Sequence, residues 1–278
     1  MITDLALSGL LDHARTDARG VGAFNVVLLE HAEAIVQGAE QAGLPVVLQI
    51  SENCIRYHGG LAPITTATRA IASASTVQVL VHLDHVEDPD LVAAGIDLGV
   101  DSVMYDGSRL EPRANEIATR GLADRCHAAG VAIEAELGEV GGKDGVHAPG
   151  VRTDPTDAAA FVEATGVDAL AVAVGTSHAM QTREASVDRE LVGRLRAAVP
   201  VPLVLHGSSG LSDDELRGAV RAGMTKVNIS THLNGLFTRA LRDVLDERPD
   251  VVDPRRYVAA GRDAVAAEAA RLLTLLHG

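Results

Sequence analysis

The sequence predicts an α/β chain folded as a single (β/α)8, or TIM, barrel over residues 1–278, with an extra helix at each end. Three observations predict it. Short runs rich in Val, Leu and Ile alternate eight times with Ala-rich amphipathic stretches, and strands that are apolar throughout need a parallel sheet covered by helices. The helical stretches repeatedly end at Gly followed by a β-branched residue or Pro, as in "QAGLPVV", "DLGVDSV" and "ATGVDAL", which is the punctuation of an αβ loop. Eight such units favour a closed barrel over an open sheet.

The elements follow in order. "MITDLALSGLLDHARTD" carries acids within its apolar stretch and no basic leader, so it reads as an amphipathic helix and not a signal peptide. The expected strands are 21–26, 45–51, 76–84, 101–106, 131–138, 168–174, 202–207 and 225–230. Helices are expected at 30–42, 64–74, 88–98, 111–129, 156–165, 187–198, 212–222 and 231–246, with the last at 256–276. "EDPD" before residue 91 and Ser212 in "LSDDEL" are helix-start chemistry, with an oxygen that can cap and acids near the positive end. The one long irregular stretch, 138–155 after strand five, is of a length usually reserved for function.

Composition narrows the function. The net charge of -14 repels nucleic acid and anionic membranes at long range. Aromatics make up 2% of the chain, with no Trp, which disfavours stacking platforms for bases. Cys54 and Cys126 lack CxxC spacing and read as reduced thiols of a cytoplasmic protein. No segment approaches the length of an uninterrupted membrane span.

Barrel enzymes gather their chemistry at the carboxyl ends of the strands, and here every strand delivers a polar group at that end. The residues are Asn25; Gln49 and Ser51; Asp84 and His85; Asp106; Glu134, Glu136 and Glu139; His178; His206; and Asn228, Ser230 and Thr231. Any one histidine alone reads as a hydrogen-bonded rim residue. Three imidazoles from strands three, six and seven, His85, His178 and His206, could converge to leave one open position, as a catalytic zinc requires. His82 lies deeper on the other side of the pleat and reads as structural. The turns "HGSSGLSDDEL" and "NISTHLNGL" leave strands seven and eight for helices, in the two loops where this barrel class places phosphate.

In order along the chain, "AFN" at 23–25, "QIS" at 49–51, "LDH" at 83–85, "VMYDGS" at 103–108, "EAELGEVGG" at 134–142, "GTSH" at 175–178, "LVLHGSSG" at 203–210 and "KVNIST" at 226–231 together resemble the class II, zinc-dependent ketose-bisphosphate aldolases. The resemblance runs from about residue 20 to "DPRRY" at 253–257. It implies reversible cleavage of fructose or tagatose 1,6-bisphosphate to dihydroxyacetone phosphate and glyceraldehyde 3-phosphate, with Zn²⁺ stabilising the enediolate as a Lewis acid. By that likeness His85, His178 and His206 hold zinc, Asp84 transfers the proton at the C4 hydroxyl, and Asp106 and Glu136 bind a second or alternative metal position; a second divalent or a monovalent cation is a further cofactor of the family. Gly207, Ser208, Ser209, Asn228, Ile229, Ser230 and Thr231 line the phosphate of the ketone half, with Asn25, Ser51 and Ala179 near the substrate. Arg255 reaches the distal phosphate across a subunit interface of a homodimer or homotetramer.

At two positions the chain differs from the family's pattern. Ala179 stands where Gly is usual after the histidine of strand six, and "KDG" replaces an acidic loop segment, leaving Asp144 as a shorter proton-exchanging acid beside Lys143. Lys226, the residue a Schiff-base mechanism would nominate, is expected to support the phosphate turn or face the helices. A metal-dependent sugar-phosphate epimerase and a non-catalytic companion subunit are the alternatives to an aldolase.

Overall fold

The structure is a computed structural model that describes residues 7–137, 152–176 and 185–278. Its elements run α1 (Leu7–Thr16), β1 (Val21–Asn25), α2 (Leu29–Ala42), β2 (Val46–Ser51), α3 (Glu52–Tyr57), α4 (Leu61–Ser73), β3 (Val79–Val86), α5 (Pro89–Asp97), β4 (Ser102–Tyr105) and α6 (Pro112–Ala128). They continue with β5 (Ala132–Leu137), α7 (Pro155–Thr165), β6 (Ala169–Val172), α8 (Arg189–Ala198), β7 (Leu203–Leu205), a 3₁₀ turn (Ser208–Gly210), α9 (Asp213–Ala222), β8 (Met224–Ile229), α10 (Thr231–Glu247) and α11 (Pro254–His277). All eight strands pair in parallel and in sequence order, and β1 closes onto β8 through Val21 opposite Lys226. The barrel and both terminal helices are therefore as the sequence predicts. The short helix α3 is not anticipated; Ser51 creates it, its hydroxyl capping the amide of Cys54 at 3.2 Å.

Side-chain caps fix several of the helix starts. Asp88, Asp154, Ser212 and Asp253 each accept a backbone amide of the first turn, and three of these helices begin with Pro, whose missing N–H costs nothing there. The larger core lies between sheet and outer helices. A second core fills the amino-terminal mouth of the barrel, where Leu7, Leu10 and Leu11 of α1 pack against inward residues such as Val47, Leu80 and Met104. Each buried leucine there contributes about 1.5–3 kcal/mol, so α1 acts as a plug. The opposite, carboxyl-terminal mouth is left for polar groups. Helix α11 packs tightly on α2 at Gly38, where a Cβ would fall 2.6 Å from the carbonyl of Ala266.

Strand β3 departs from regular geometry where its polar residues begin. Its pairing with β4 shifts register between Leu83 and Val86, and His85 takes the left-handed backbone, φ 50°. In a regular strand Asp84 and His85 would face opposite sides. The bulge turns both toward the barrel mouth, and the strand runs on to Val86, two residues past the expected end. Left-handed geometry costs a residue with a Cβ about 1–2 kcal/mol and Asn tolerates it best. In chelator-treated protein, His85→Asn is expected to stay within about 0.5 kcal/mol of the parent by urea denaturation, whereas His85→Val loses at least about 1 kcal/mol more; equal losses would show that the backbone stores no strain.

Helix α11 also ties its neighbours by charge. Glu268 receives His232 of α10 at 2.7 Å and Arg271 at 2.8 Å, and Arg271 reaches Asp213 of α9 at 2.6 Å. Burial alone would raise the Glu268 carboxyl, but the hydrogen bonds from Arg271 and His232 outweigh it and hold the group at about 2 against an ordinary 4.5. A depressed carboxyl contributes stability that is fully present above about 4.5 and is lost as pH falls toward about 2. Glu268→Gln is therefore expected to flatten the acid side of the stability profile across that window, measured by thermal denaturation against pH.

Candidate metal and substrate site

The polar ends of β1, β3, β4, β5, β7 and β8 meet in the carboxyl-terminal mouth. His85 brings Nδ1 to 2.9 Å from Oδ2 of Asp106, and the other oxygen of Asp106 accepts from the hydroxyl of Ser108 at 2.6 Å. The second ring nitrogen of His85, Nε2, lies 2.9 Å from Nδ1 of His206. The far nitrogen of His206, Nε2, lies 3.1 Å from Oε1 of Glu134. Oε2 of Glu136 stands 3.6 Å from Nδ1 of His206. Ligand atoms of Asp84, His85 and His206 fall within 4.8 Å of one another, as do those of His85, Asp106 and Glu136.

These bonds decide where the ring protons sit. An ionised carboxylate only accepts, so the ring proton of His85 sits on Nδ1 and is donated to Asp106, and that of His206 sits on Nε2 and is donated to Glu134. Each neutral imidazole then has one lone pair left, and the two point at each other across 2.9 Å. Two lone pairs at that separation repel unless a cation is shared between them. Imidazole nitrogens bind zinc at about 2 Å, and the carboxylates behind them orient the rings as they do for metal-bound histidines generally. Asp84 adds a further donor: Oδ2 accepts from Nδ2 of Asn25 at 2.9 Å, while the buried Oδ1 has no hydrogen-bond partner among the described residues. The donor set fits a divalent cation.

Burial would raise the Asp84 carboxyl, but the positive charge that His85 and His206 carry when protonated, that of Lys226 and the bond from Asn25 prevail and hold it below its ordinary range. His82, wholly buried, is held well below the usual imidazole range by burial and by Lys226. It gives Nδ1 to the hydroxyl of Ser102 at 2.7 Å and stays in the barrel floor, the structural place expected of it. The thiols of Cys54 and Cys126 are pushed up to about 11 by burial, which disfavours the reactive thiolate.

Other expected residues fall as follows. Ser51 pairs in register with Asp84. The turn after β7 starts at Gly207 in the left-handed conformation, φ 68°. It is stitched to β8, with the Ser208 hydroxyl donating to the carbonyl of Asn228 at 2.5 Å and the Ser230 amide to the Ser209 hydroxyl at 3.3 Å. Thr231 opens α10, and Ile229 is buried in β8. Asp144, His178 and Ala179 lie outside the described residues. Arg255 stands apart from the cluster in the single chain, its exposed guanidinium held by Asp253 at 2.9 Å.

Lys226 corrects one expectation. It neither faces the helices nor supports the phosphate turn; it points into the barrel and gives Nζ to Oε2 of Glu134 at 2.8 Å, with both side chains fully buried. A buried ammonium needs a buried anion, and Glu134, the inward residue of β5, supplies it. Glu134 stood among the strand-end residues without a role, and only the pairing across the barrel reveals one. Gln49, likewise, holds Asn25 from 3.4 Å.

The family model described as fructose-bisphosphate aldolase class-II matches residues 6–278. The fructose-bisphosphate aldolase of Geobacillus stearothermophilus is 36% identical over 267 residues, covering 95% of this chain and 93% of that protein. Among solved structures, the YdjI aldolase of Escherichia coli K12 superposes with a TM-score of 0.85 at 30% identity over 99% of this chain and 97% of that one. The fructose-bisphosphate aldolase of Campylobacter jejuni, 22% identical, shares the fold with a TM-score of 0.79, over 97% of this chain and 93% of that one. The closed parallel barrel, the polar cluster at its carboxyl-terminal mouth and the match of a family model from residue 6 to residue 278 place this chain in the class II fructose-bisphosphate aldolase family, as a carbon–carbon lyase.

Proposed function

We propose that the chain reversibly cleaves a ketose 1,6-bisphosphate, fructose or tagatose, to dihydroxyacetone phosphate and glyceraldehyde 3-phosphate, with zinc as its metal. The reading rests above all on the facing nitrogens of His85 and His206 with Asp84 beside them. His85 and His206, together with His178, would hold the ion, with Asp106 and Glu136 at an alternative position. When bound, it supplies Lewis-acid stabilisation of the negative charge that bond scission leaves on the ketone fragment.

The chain's own groups do the rest. Asp84, kept ionised with the help of Lys226 and the hydrogen bond from Asn25, accepts the C4 hydroxyl proton during cleavage and returns it to the aldehyde oxygen during condensation. Asn25, fixed by Gln49, orients that carboxylate by donating to one of its oxygens. The phosphate of the ketone half rests against Gly207, Ser208 and Ser209 and the start of α10 at Ser230 and Thr231, where helix-end amides favour an anion. Asp144 exchanges the proton on the dihydroxyacetone phosphate carbon, Ala179 lies beside the substrate, and Arg255 reaches the distal phosphate from a neighbouring subunit of a homodimer or homotetramer. The buried ion pair of Lys226 favours this chemistry over a Schiff base, since the amine is committed to Glu134. Among the described residues, no helix is long and apolar enough to cross a membrane; a cytoplasmic location is part of the proposal.

The test is triose phosphate release from both bisphosphates. Release from at least one, abolished by a chelator and restored by Zn²⁺, is the expected result; undiminished turnover after complete metal removal, or epimerisation without triose phosphate, contradicts it. Asp84→Asn is expected to lower kcat by about 10²–10⁴-fold, the usual worth of a general acid–base group, with bound zinc retained by elemental analysis.

A further inference from the structure

Below the mouth, the barrel interior carries three charged or titratable side chains with no part in the proposed proton transfers: His82, Glu134 and Lys226, each essentially excluded from solvent. Glu134 is the hub. One oxygen receives Lys226 at 2.8 Å, the other faces Nε2 of His206 at 3.1 Å, and Nε2 of His82 lies 4.0 Å from Oε2. Burying a carboxylate and an ammonium to hold a barrel floor together is a poor use of them, because apolar residues of similar volume do so at no electrostatic cost. Their arrangement instead has a direction, from the β8 lysine through the β5 carboxylate to one nitrogen of one histidine.

Resting on the aldolase reading above, we infer that Glu134 and Lys226 form a positioning pair that sets the tautomer of His206, so that Nε2 keeps the proton and Nδ1 offers its lone pair to the ion. Lys226 matters because it decides which way Glu134 faces. An ammonium only donates, so it demands an oxygen, and a carboxylate has a second oxygen left for His206. An amide in place of that carboxylate has one oxygen only. Lys226 would claim it, and the amide NH₂ would then be presented to Nε2, which must become an acceptor; the proton moves to Nδ1 and blocks the metal position.

As placed, the Asn228 amide opposes this assignment and must turn over to meet it. Its Nδ2 is placed 3.0 Å from Nε2 of His206, and its buried Oδ1 has no hydrogen-bond partner among the described residues. The two ends of an amide are assigned by their surroundings. A half-turn puts the oxygen against the Nε2 proton and the NH₂ toward the mouth.

The experiment compares wild type, Glu134→Gln, and the double variant Glu134→Gln with Lys226→Met, each as the full chain and checked for an intact fold by thermal denaturation. Cobalt(II) is titrated in and its visible absorption gives the affinity. Removing an outer carboxylate typically costs 10–100-fold in metal affinity. Glu134→Gln is expected to lose that much, and the double variant is expected to regain at least about 10-fold of it, because without the ammonium the amide turns its oxygen to His206. In zinc-loaded, ¹⁵N-histidine-labelled wild type, Nε2 of His206 is expected to carry the proton and Nδ1 none. Unchanged cobalt affinity in Glu134→Gln, a double variant no better than the single, or a proton on Nδ1 overturns the inference while leaving the aldolase reading in place. If the single variant does not fold, the nitrogen shifts of wild type decide alone. Wild type that takes up no metal overturns both.

Discussion

Two imidazole nitrogens, one on His85 and one on His206, face each other across 2.9 Å, and the rest of the mouth depends on how that contact is resolved. Each neutral ring donates its one N–H to a carboxylate, so neither can donate to its partner. A cation held by both rings would relieve the repulsion. The surrounding groups then take their places by necessity: Asp106 and Glu134 outside the rings, and Asp84 beside them, ionised and with one oxygen unpartnered among the described residues.

Holding that contact requires features that local preference alone would not select. The β3 bulge puts His85 in a left-handed backbone so that two consecutive side chains share one face. The barrel floor carries a buried ion pair where a hydrophobic layer would suffice. Such departures are expected where function is built and are offset elsewhere, here by the plug of α1 at the other mouth and the close seating of α11 on α2. Stability and chemistry thus occupy opposite ends of the same barrel, which is the division this architecture permits.

Much of this could be read from the chain. The eight apolar runs with Gly-terminated helices specify the barrel because period and punctuation are local properties, and the position of polar residues at strand ends follows once the strands are placed. Asp84, His85, Asp106, Glu136 and His206 all reach the mouth for that reason. What could not be read depends on contacts across the barrel. Lys226 alternates inward as Glu134 does, but a lysine in a strand gives no sign of which residue neutralises it, and these two are 92 positions apart. The bulge at His85 escaped for a similar reason: simple alternation predicts opposite faces, and only the register against β4 shows the exception. The short helix α3 was hidden because Ser51 reads equally as a strand end or a substrate contact until its hydroxyl is seen capping Cys54.

The most direct measurement is anomalous diffraction at the zinc absorption edge from crystals of the metal-loaded protein. A single strong peak bonded to both Nε2 of His85 and Nδ1 of His206 is predicted. A peak bonded to only one of those nitrogens, or ring nitrogens still facing each other with the metal elsewhere, would contradict it.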